Sequence, residues 1–569
     1  MRSAFFGRAR RVTTCTALAL SAGMVMASPA VAETGPRPVV EQPQFADTTT
    51  PKLDMSQPAV ETGTARTAGA TAVVAPRFDV DGDGRTDLIH RKQDGRTYVA
   101  TSSATTTGEF DTSGALLDLD LIPIGDQNGT GKPEVLTLAR DGVLRLYEEA
   151  GTNYGWPAWE GRGWNIYNKV FSPGDINGDG KADLLARQYN GELYSYRGTG
   201  EPTQPLTGRA KVGAGWGVYD QLVGVGDNSG DGRGDLVART TDGRLHFYGS
   251  TGNPASPFKP PRVLGQGWNA YNQIVAPDDR NGDGRADLLA RDQAGSLWAY
   301  SGLGNGSYSA PVKLSGSWLG VDQFGGAGNI PTAGRSGFIG RDRAGTLFWY
   351  GDQNNGKLTA RAQWGSTGGW AGANISYVSA LDEGAFADLL EIYRGHLYNA
   401  DRDLGGGWQI YNLLIGPGDL SGDGKGDLLA RDTSGVLWLY RGNGSGTGVA
   451  SRIRVGDGWS AYNRILGAGD FTGDGRTDLM ARDGAGALWL YKGTGSATTP
   501  FTGRVKIGTG WNTYNKLATP GDLNGDGKAD LLGVNAAGEL YRYLGTGTGS
   551  AIGSRAKIGT GFQTYTQLY

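Results

Sequence analysis

Seven acidic strings of one pattern carry most of the chemistry available to this chain. Each reads D-x-[DNST]-G-D-G-x-x-D, with oxygen-bearing side chains at positions 1, 3, 5 and 9. They are Asp79, Asp81, Asp83 and Asp87; Asp175, Asn177, Asp179 and Asp183; Asp227, Ser229, Asp231 and Asp235; Asp279, Asn281, Asp283 and Asp287; Asp419, Ser421, Asp423 and Asp427; Asp470, Thr472, Asp474 and Asp478; and Asp522, Asn524, Asp526 and Asp530. Oxygens on alternate residues wrap one side of a hard cation, and the glycines at positions 4 and 6 let the chain turn tightly. Position 7 is always basic (Arg85, Lys181, Arg233, Arg285, Lys425, Arg476, Lys528) and offers its main-chain carbonyl. The Asp at position 9 closes the cage. Oxygen-only ligation in a flexible loop favours Ca2+ over Zn2+ or Mg2+, so about seven structural calcium ions are expected. The loop is not an EF-hand, which needs a bidentate Glu at position 12; here that position is apolar, as at Ala186 and Ala290. Three or four carboxylates crowd each loop, so metal binding is expected to add folding stability.

Three further copies depart from the pattern. One keeps Asp126, Asn128, Thr130 and Glu134 but lacks the central Asp. A second, aligned at Asn329, has Pro331, Ala333 and Gly337 where ligands belong, and is expected to be empty. A third, aligned at Ala380, keeps only Asp382 and Asp388 and is expected to bind nothing.

A second recurring segment, G-W-x-x-Y-N, sets an aromatic pair beside an amide. Its copies are Trp164, Tyr167 and Asn168; Trp216, Tyr219 and Asp220; Trp268, Tyr271 and Asn272; Trp408, Tyr411 and Asn412; Trp459, Tyr462 and Asn463; and Trp511, Tyr514 and Asn515, with a weakened copy at Phe562 and Tyr565. Two readings stand side by side. An aromatic face with neighbouring amides is what binds a sugar, and repetition around a ring would add avidity. A tryptophan once per module is equally a wedge that fills the gap between sheets. A second aromatic row, Trp298/Tyr300, Trp438/Tyr440 and Trp489/Tyr491, is assigned to the core.

The elements that must position these residues are strands. Segments such as D-L-L-A-R and L-W-A-Y are short, apolar and bounded by Gly, Asn or Asp. About four fall in each module, and the acidic loops recur in steps of 47 to 52 residues, except for a step of 39 from Ala380 to Asp419 that marks one truncated module. Four short strands repeated about every 50 residues make an all-β fold of propeller blades. Ten modules make two five-bladed rings, at 71–325 and 326–569; seven blades plus three, or one large ring, are the alternatives. The last segment, G-T-G-F-Q-T-Y-T-Q-L-Y, repeats the start of a module and is expected to supply a closing strand.

Composition narrows the class. Glycine is 98 of 569 residues, far above the usual ~7%, without a collagen period. Net charge is −3 with no dense basic run, so no nucleic-acid partner is expected. Residues 1–32 read as an export signal: a basic start, an apolar stretch too short to span a bilayer, and Ala30-Val31-Ala32 before the cut. The general secretory route fits better than twin-arginine export at Arg10-Arg11. Residues 33–70 read as a disordered linker, and no span of the rest suits a membrane helix. The one cysteine, Cys15, lies in the signal, so the exported protein has no disulfide and needs another staple, for which metal is the candidate.

No catalytic constellation is present. The three histidines, His90, His246 and His396, fall in different modules, and there is no nucleophile elbow, H-E-x-x-H, P-loop or C-x-x-C. If a polysaccharide-acting enzyme is hidden here, Glu383 and Glu391 are its first candidates.

The acidic loop within a blade-length repeat resembles the FG-GAP/VCBS family of integrin-type propellers, over about 490 residues. That resemblance implies structural calcium at the blade rim. G-W-x-x-Y-N, preceded by K-I-G-T-G or V-G-D-G, is similar to the blade of tachylectin-type lectins, which implies five-bladed rings that bind N-acetylated sugars. Together they imply a secreted, calcium-stabilised, lectin-like protein that recognises surface glycans, as a targeting subunit of a toxin-type assembly. The alternatives are a protein-binding scaffold or adhesin with a cell-surface or secreted partner, and a polysaccharide hydrolase or lyase.

Overall fold

The computed structural model describes residues 76–92, 96–101, 108–110, 118–139, 142–148, 156–314, 316–326, 337–382 and 387–569. The export-signal and linker assignments lie outside these residues. Among the described residues, no helix is long and apolar enough to cross a membrane.

Ten four-stranded antiparallel sheets make up the structure. We number them as blades 1 to 10 along the chain. Blade 3 is representative: strands Tyr167–Gly174, Asp183–Gln188, Leu193–Gly198 and Leu206–Gly213 pair in that order. Side chains alternate as a pleated strand demands. In Leu297–Tyr300, for example, Leu297 and Ala299 are buried while Trp298 between them is only partly so. The first strands of neighbouring blades touch, so they line the axis.

Packing between sheets forms two separate circuits. In the first, apolar clusters join blades 1 and 2, 2 and 3, 3 and 4, and 4 and 5, and a cluster with Leu88, Val275, Leu289 and Trp318 joins blade 5 back to blade 1. In the second, clusters join blades 6 to 10 in sequence, and one with Phe338, Leu532 and Phe562 joins blade 10 back to blade 6. Each circuit is sealed by a strand from its far end. Val321–Phe324 pairs with Leu88–Lys92, and Tyr565–Leu568 pairs with Gly337–Asp342. The C-terminal segment thus supplies the strand that completes blade 6. Ring closure leaves no terminal blade with an uncovered face.

Each ring has two end faces. The acidic loops, which join first to second strands, form the loop face. The G-W-x-x-Y turns, which lead into the first strands, form the turn face. Every such turn is one 3-10 turn opened by a glycine at φ 77–93°, from Gly163 in blade 3 to Gly561; a β-carbon is disfavoured there, which explains the glycine before each Trp and before Phe562. The turn face of the first ring rests on the loop face of the second. Asn168 Nδ2 donates to the Asp474 carbonyl at 2.7 Å, and Asn272 Nδ2 to that of Asn524 at 2.6 Å. Lys528 reaches across to Asp220 at 3.1 Å, and Arg476 lies over the Tyr189 ring at 4.7 Å.

The short step from Ala380 to Asp419 leaves blade 7 with all four strands. What it loses is the connection between the outer two: His396–Asn399 turns directly into Arg402–Gly406 through Ala400 at φ 50°. In blade 8 the same connection runs from Tyr440 to Ile453.

Candidate functional site

The acidic loops are built by backbone amides that aim the carboxylates inward. In the Asp175 loop, Gly178 and Gly180 donate to the two oxygens of Asp175 at 2.6 and 2.7 Å. Asp179 N donates to Asn177 Oδ1 at 3.0 Å, and Lys181 N to Asp179 Oδ1 at 3.0 Å. Position 9 is the buried anchor: Asp183 accepts from Ile176 N and from Gly198 N, both at 3.0 Å. The scheme recurs in the other loops. Gly82 and Gly84 bind Asp79, Gly230 and Gly232 bind Asp227, Gly282 and Gly284 bind Asp279, and Gly422 and Gly424 bind Asp419. Gly475 binds Asp470, and Gly525 and Gly527 bind Asp522. The position-7 amides of Arg85, Arg233, Arg285, Lys425, Arg476 and Lys528 all donate to the position-5 aspartates Asp83, Asp231, Asp283, Asp423, Asp474 and Asp526.

These residues fit a hard cation. Carboxylate oxygens of Asp79, Asp81 and Asp87 lie within 4.8 Å of one another. The Asn524 side-chain oxygen at position 3 is buried without a hydrogen-bond partner, as expected of an atom meant for a ligand. Ser229, Ser421 and Thr472 at the same position lie against the position-9 carboxylates of Asp235, Asp427 and Asp478. Without a positive charge the loops are strained electrostatically. Burial, with neighbouring aspartates adding to it, pushes Asp235, Asp287, Asp427, Asp478 and Asp522 up to about 7 and Asp183 up to about 6. Asp470 and Asp530 are raised well above the usual carboxylate range, by burial and then by their neighbouring aspartates. The Asp126 loop keeps the turn, with Gly129 and Gly131 on Asp126, and its Glu134 is raised to about 7 by burial. The Asn329 loop lies outside the described residues up to Gly337. In the Ala380 copy, Leu381 N still donates to Asp388 at 2.8 Å.

The G-W-x-x-Y-N residues are spent on the seams between blades. Trp164, Trp216, Trp268, Trp408, Trp459 and Trp511 are only 4–9% exposed. Each indole packs on a tyrosine of the third strand, as Trp268 does on Tyr300 with 4.8 Å between ring centres, and Tyr271 and Tyr300 share a hydroxyl–hydroxyl bond of 2.6 Å. Tyr167, Tyr219, Tyr411, Tyr462 and Tyr514 pair in the same way with Tyr196, Tyr248, Tyr440, Tyr491 and Tyr543. The residue after the tyrosine holds an arginine: Asn168, Asn272, Asn412 and Asn463 accept from Arg187, Arg291, Arg431 and Arg482 at 2.9–3.0 Å, and Asp220 pairs with Arg239. In the last blade Val534 stands where the others carry that arginine, and Asn515 is exposed.

Those arginines went unnoticed in the sequence. Each ends a D-L-[LVM]-A-R string and clamps the next blade. Arg187 donates to the carbonyls of Trp216 and Tyr219, Arg239 to Trp268 and Tyr271, and Arg482 to Trp511 and Tyr514. Arg291, Arg341 and Arg431 do the same for blades 1, 7 and 9. Burial lowers Arg187 and Arg291 to about 10, which leaves both cationic. The signal was a fixed arginine at the end of a string otherwise read only as strand.

The second aromatic row divides. Tyr300, Tyr440 and Tyr491 join the seam, but Trp298, Trp438 and Trp489 are half-buried on the blade flank rather than core. Their indole N–H groups bind Asp292, Asp432 and Asp483 at 2.8–2.9 Å. Arg452 and Arg504 lie over Trp438 and Trp489, both at 4.1 Å. Strand alternation puts them there, because the core-facing neighbours are Leu and Ala.

The histidines do not converge. His90 is fully buried, His246 stacks edge-on with Tyr219, and exposed His396 pairs with Asp403 at 2.9 Å. Glu391 is buried in blade 7, and Glu383 lies outside the described residues.

Comparison with known proteins gives no match among curated sequences. Solved structures similar to the chain include the BP39L lectin of Burkholderia pseudomallei, at 13% identity, covering 78% of this chain and 100% of that one, with a TM-score of 0.24. BBS1N from its complex with ARL6DN follows at 12% identity, 67% and 93% coverage and a TM-score of 0.22. Sqt1 of Saccharomyces cerevisiae is similar at 12% identity, 78% and 96% coverage and a TM-score of 0.21. Residues 126–186, 175–238, 419–481 and 470–533 match the FG-GAP-like repeat, each stretch running from one acidic loop through the next. With these repeats set in closed circuits of four-stranded blades, the chain is a β-propeller protein that carries FG-GAP-like repeats.

Proposed function

We propose that this chain is an exported, non-catalytic binding protein whose blades are clamped by calcium and whose partner is a surface glycan. The observation that carries the binding role is the contrast between two like surfaces. In the first ring the turn face is covered by the second ring, and Asn168 and Asn272 are buried there. In the second ring the same face is open, with Asn412, Asn463 and Asn515 exposed. The buried tryptophans offer no indole face to a sugar, so recognition passes to the residues between Trp and Tyr, such as Gln409 and the 41%-exposed Ile410, and to the channel they surround. Calcium is the staple that the acidic loops call for, in a chain with no second cysteine to form a disulfide.

A second reading, a docking scaffold for a protein, is favoured by the same asparagines, since in the first ring they grip the main-chain carbonyls of a neighbouring ring. A targeting role in a larger secreted assembly is compatible with either. A glycan array probed in calcium and again in EDTA tests the first reading. Binding that free sugar competes away supports it, and a clean array with retained capture of a protein partner overturns it in favour of the scaffold.

A further inference from the structure

The two rings treat their central channels in opposite ways. In every blade one residue of the first strand pairs with the position where D-L-L-A-R carries its arginine. In the first ring these residues are Asp120, Lys169, Gln221, Gln273 and Gln323. In the second they are Asn374, Leu413, Arg464, Lys516 and Gln567.

The first set closes on itself. Lys169 Nζ meets Asp120 at 2.6 Å. Gln221 Nε2 donates to the Asn272 carbonyl at 2.8 Å and its oxygen accepts from Ile274 N at 3.1 Å; Gln273 repeats this with Asp322 and Phe324, and Gln323 reaches the Leu119 carbonyl at 3.0 Å. All five are 1–2% exposed. The charges pair internally and, apart from the Gln323 side-chain oxygen, the polar groups are hydrogen-bonded within the ring, so this ring is plugged.

The second set stays open. Asn374, Arg464 and Gln567 are exposed and Lys516 is half-buried. They line a cavity of about 750 Å3 along the axis of the second ring, capped by Trp164 and Tyr189 of the first. Arg464 donates only to the carbonyls of Asn463 and Asn515, and among the described residues neither it nor Lys516 has a carboxylate within ion-pair distance. The acids that do line the cavity are engaged elsewhere: Asp120 with Lys169, and Asp419 and Asp470 in the loops at the far end. Two cations therefore face each other across adjacent blades in a half-enclosed channel. Desolvation first, and the nearby Arg464 second, lower the Lys516 pKa. Leu413 and Tyr569 supply apolar wall, while Asn374 and Gln567 supply amides. A pocket of this size takes a small ligand.

We propose that the channel of the second ring binds an acidic saccharide, with Arg464 and Lys516 holding its carboxylate or sulfate. This deepens the glycan-binding reading by naming a ligand class and a site. The test is calorimetric titration of the calcium-loaded full chain with glucuronate, glucose 6-sulfate and glucose. Either anionic probe should bind at least about ten-fold more tightly than glucose, and whichever binds identifies the acid group. Arg464→Gln with Lys516→Gln should reduce that affinity at least about ten-fold with an unchanged melting curve. Should the double variant fail to fold, Leu413→Glu, which places a carboxylate in the same channel on the blade next to Arg464, should abolish binding alone. Equal affinity for glucose, no binding of either anion, or binding that survives both variants overturns the proposal. Neutral glycans captured on an array while the anions fail here would overturn the channel site and leave the broader reading standing.

Discussion

Arg187 Nη1 donates at 2.6 Å to the main-chain carbonyl of Tyr219, a residue of the next blade. The same arm donates to the Trp216 carbonyl at 3.2 Å, and Asn168 of its own blade fixes its angle through Nε. One guanidinium thus ties the end of a strand to the turn beginning the neighbouring sheet, and the buried tryptophan of that turn is held in the seam.

Removing such a clamp is expected to cost about 1–3 kcal/mol for each buried carbonyl left unpaired. Arg291 is the strongest case, being fully buried with the carbonyls of Trp318 and Val321 on one nitrogen. Urea unfolding of Arg291→Met should show that loss, and Arg431→Met, at a more exposed seam, a smaller one. Equal stability of wild type and Arg291→Met would refute the clamp.

Truncating a wedge should unfold rather than silence. Trp268→Ala is expected to destabilise by about 3–5 kcal/mol, as large-to-small core changes do. A variant that melts like wild type but no longer binds sugar would return the tryptophan to the binding surface.

Chelation should act on every intact loop together. Saturating calcium at about 100 times its dissociation constant adds about 2.7 kcal/mol per site. Differential scanning calorimetry in EDTA should therefore show a sharply lower Tm, restored by calcium. An identical melt in both buffers would rule the loops out as metal sites.

The ion pair of Lys169 and Asp120 is buried to 0% and 3% side-chain exposure. Burial pushes Asp120 up and Lys169 down, and each pulls the other back. Lys169→Met alone should cost about 3–5 kcal/mol by stranding a carboxylate, and adding Asp120→Leu should recover most of it. Additive losses in that double-mutant cycle would show that the two side chains act independently.

Alkaline pH should open the seams. Burial, then the bond to the partner hydroxyl, raises Tyr196, Tyr248, Tyr300, Tyr350, Tyr440, Tyr491 and Tyr543 well above the ordinary tyrosine value. The folded state then holds protons that the unfolded chain releases near pH ~10. The stabilisation is complete below that pH and is lost as pH rises toward the folded values. Absorbance titration at 295 nm should show delayed tyrosinate formation that coincides with unfolding; early, reversible titration of all tyrosines would contradict the pairing.

Much of the architecture was legible because one module repeats itself. Asp175, Asn177, Asp179 and Asp183 announce a loop, and L-W-A-Y announces a strand, each through its own spacing. The seam was harder to read. Arg187 sits at the end of an apolar string and its partners lie 29 and 32 residues away, a separation that no local pattern encodes. Trp298 and Trp438 look like core by residue type, and only the direction of the pleat turns them outward. The open channel was invisible for the same reason: Arg464 and Lys516 lie in different modules, and only the packing of one blade on the next makes them neighbours.

Val321–Phe324 lies beside Leu88–Lys92, and Tyr565–Leu568 beside Gly337–Asp342. The backbone therefore comes into each circuit and departs from it at a single sheet. A unit threaded that way is a self-contained cassette, able to be copied in tandem, swapped or removed at the 327–336 junction without rerouting its neighbour. Two such cassettes can differ without disturbing each other, as the sealed bore of the first and the open bore of the second do.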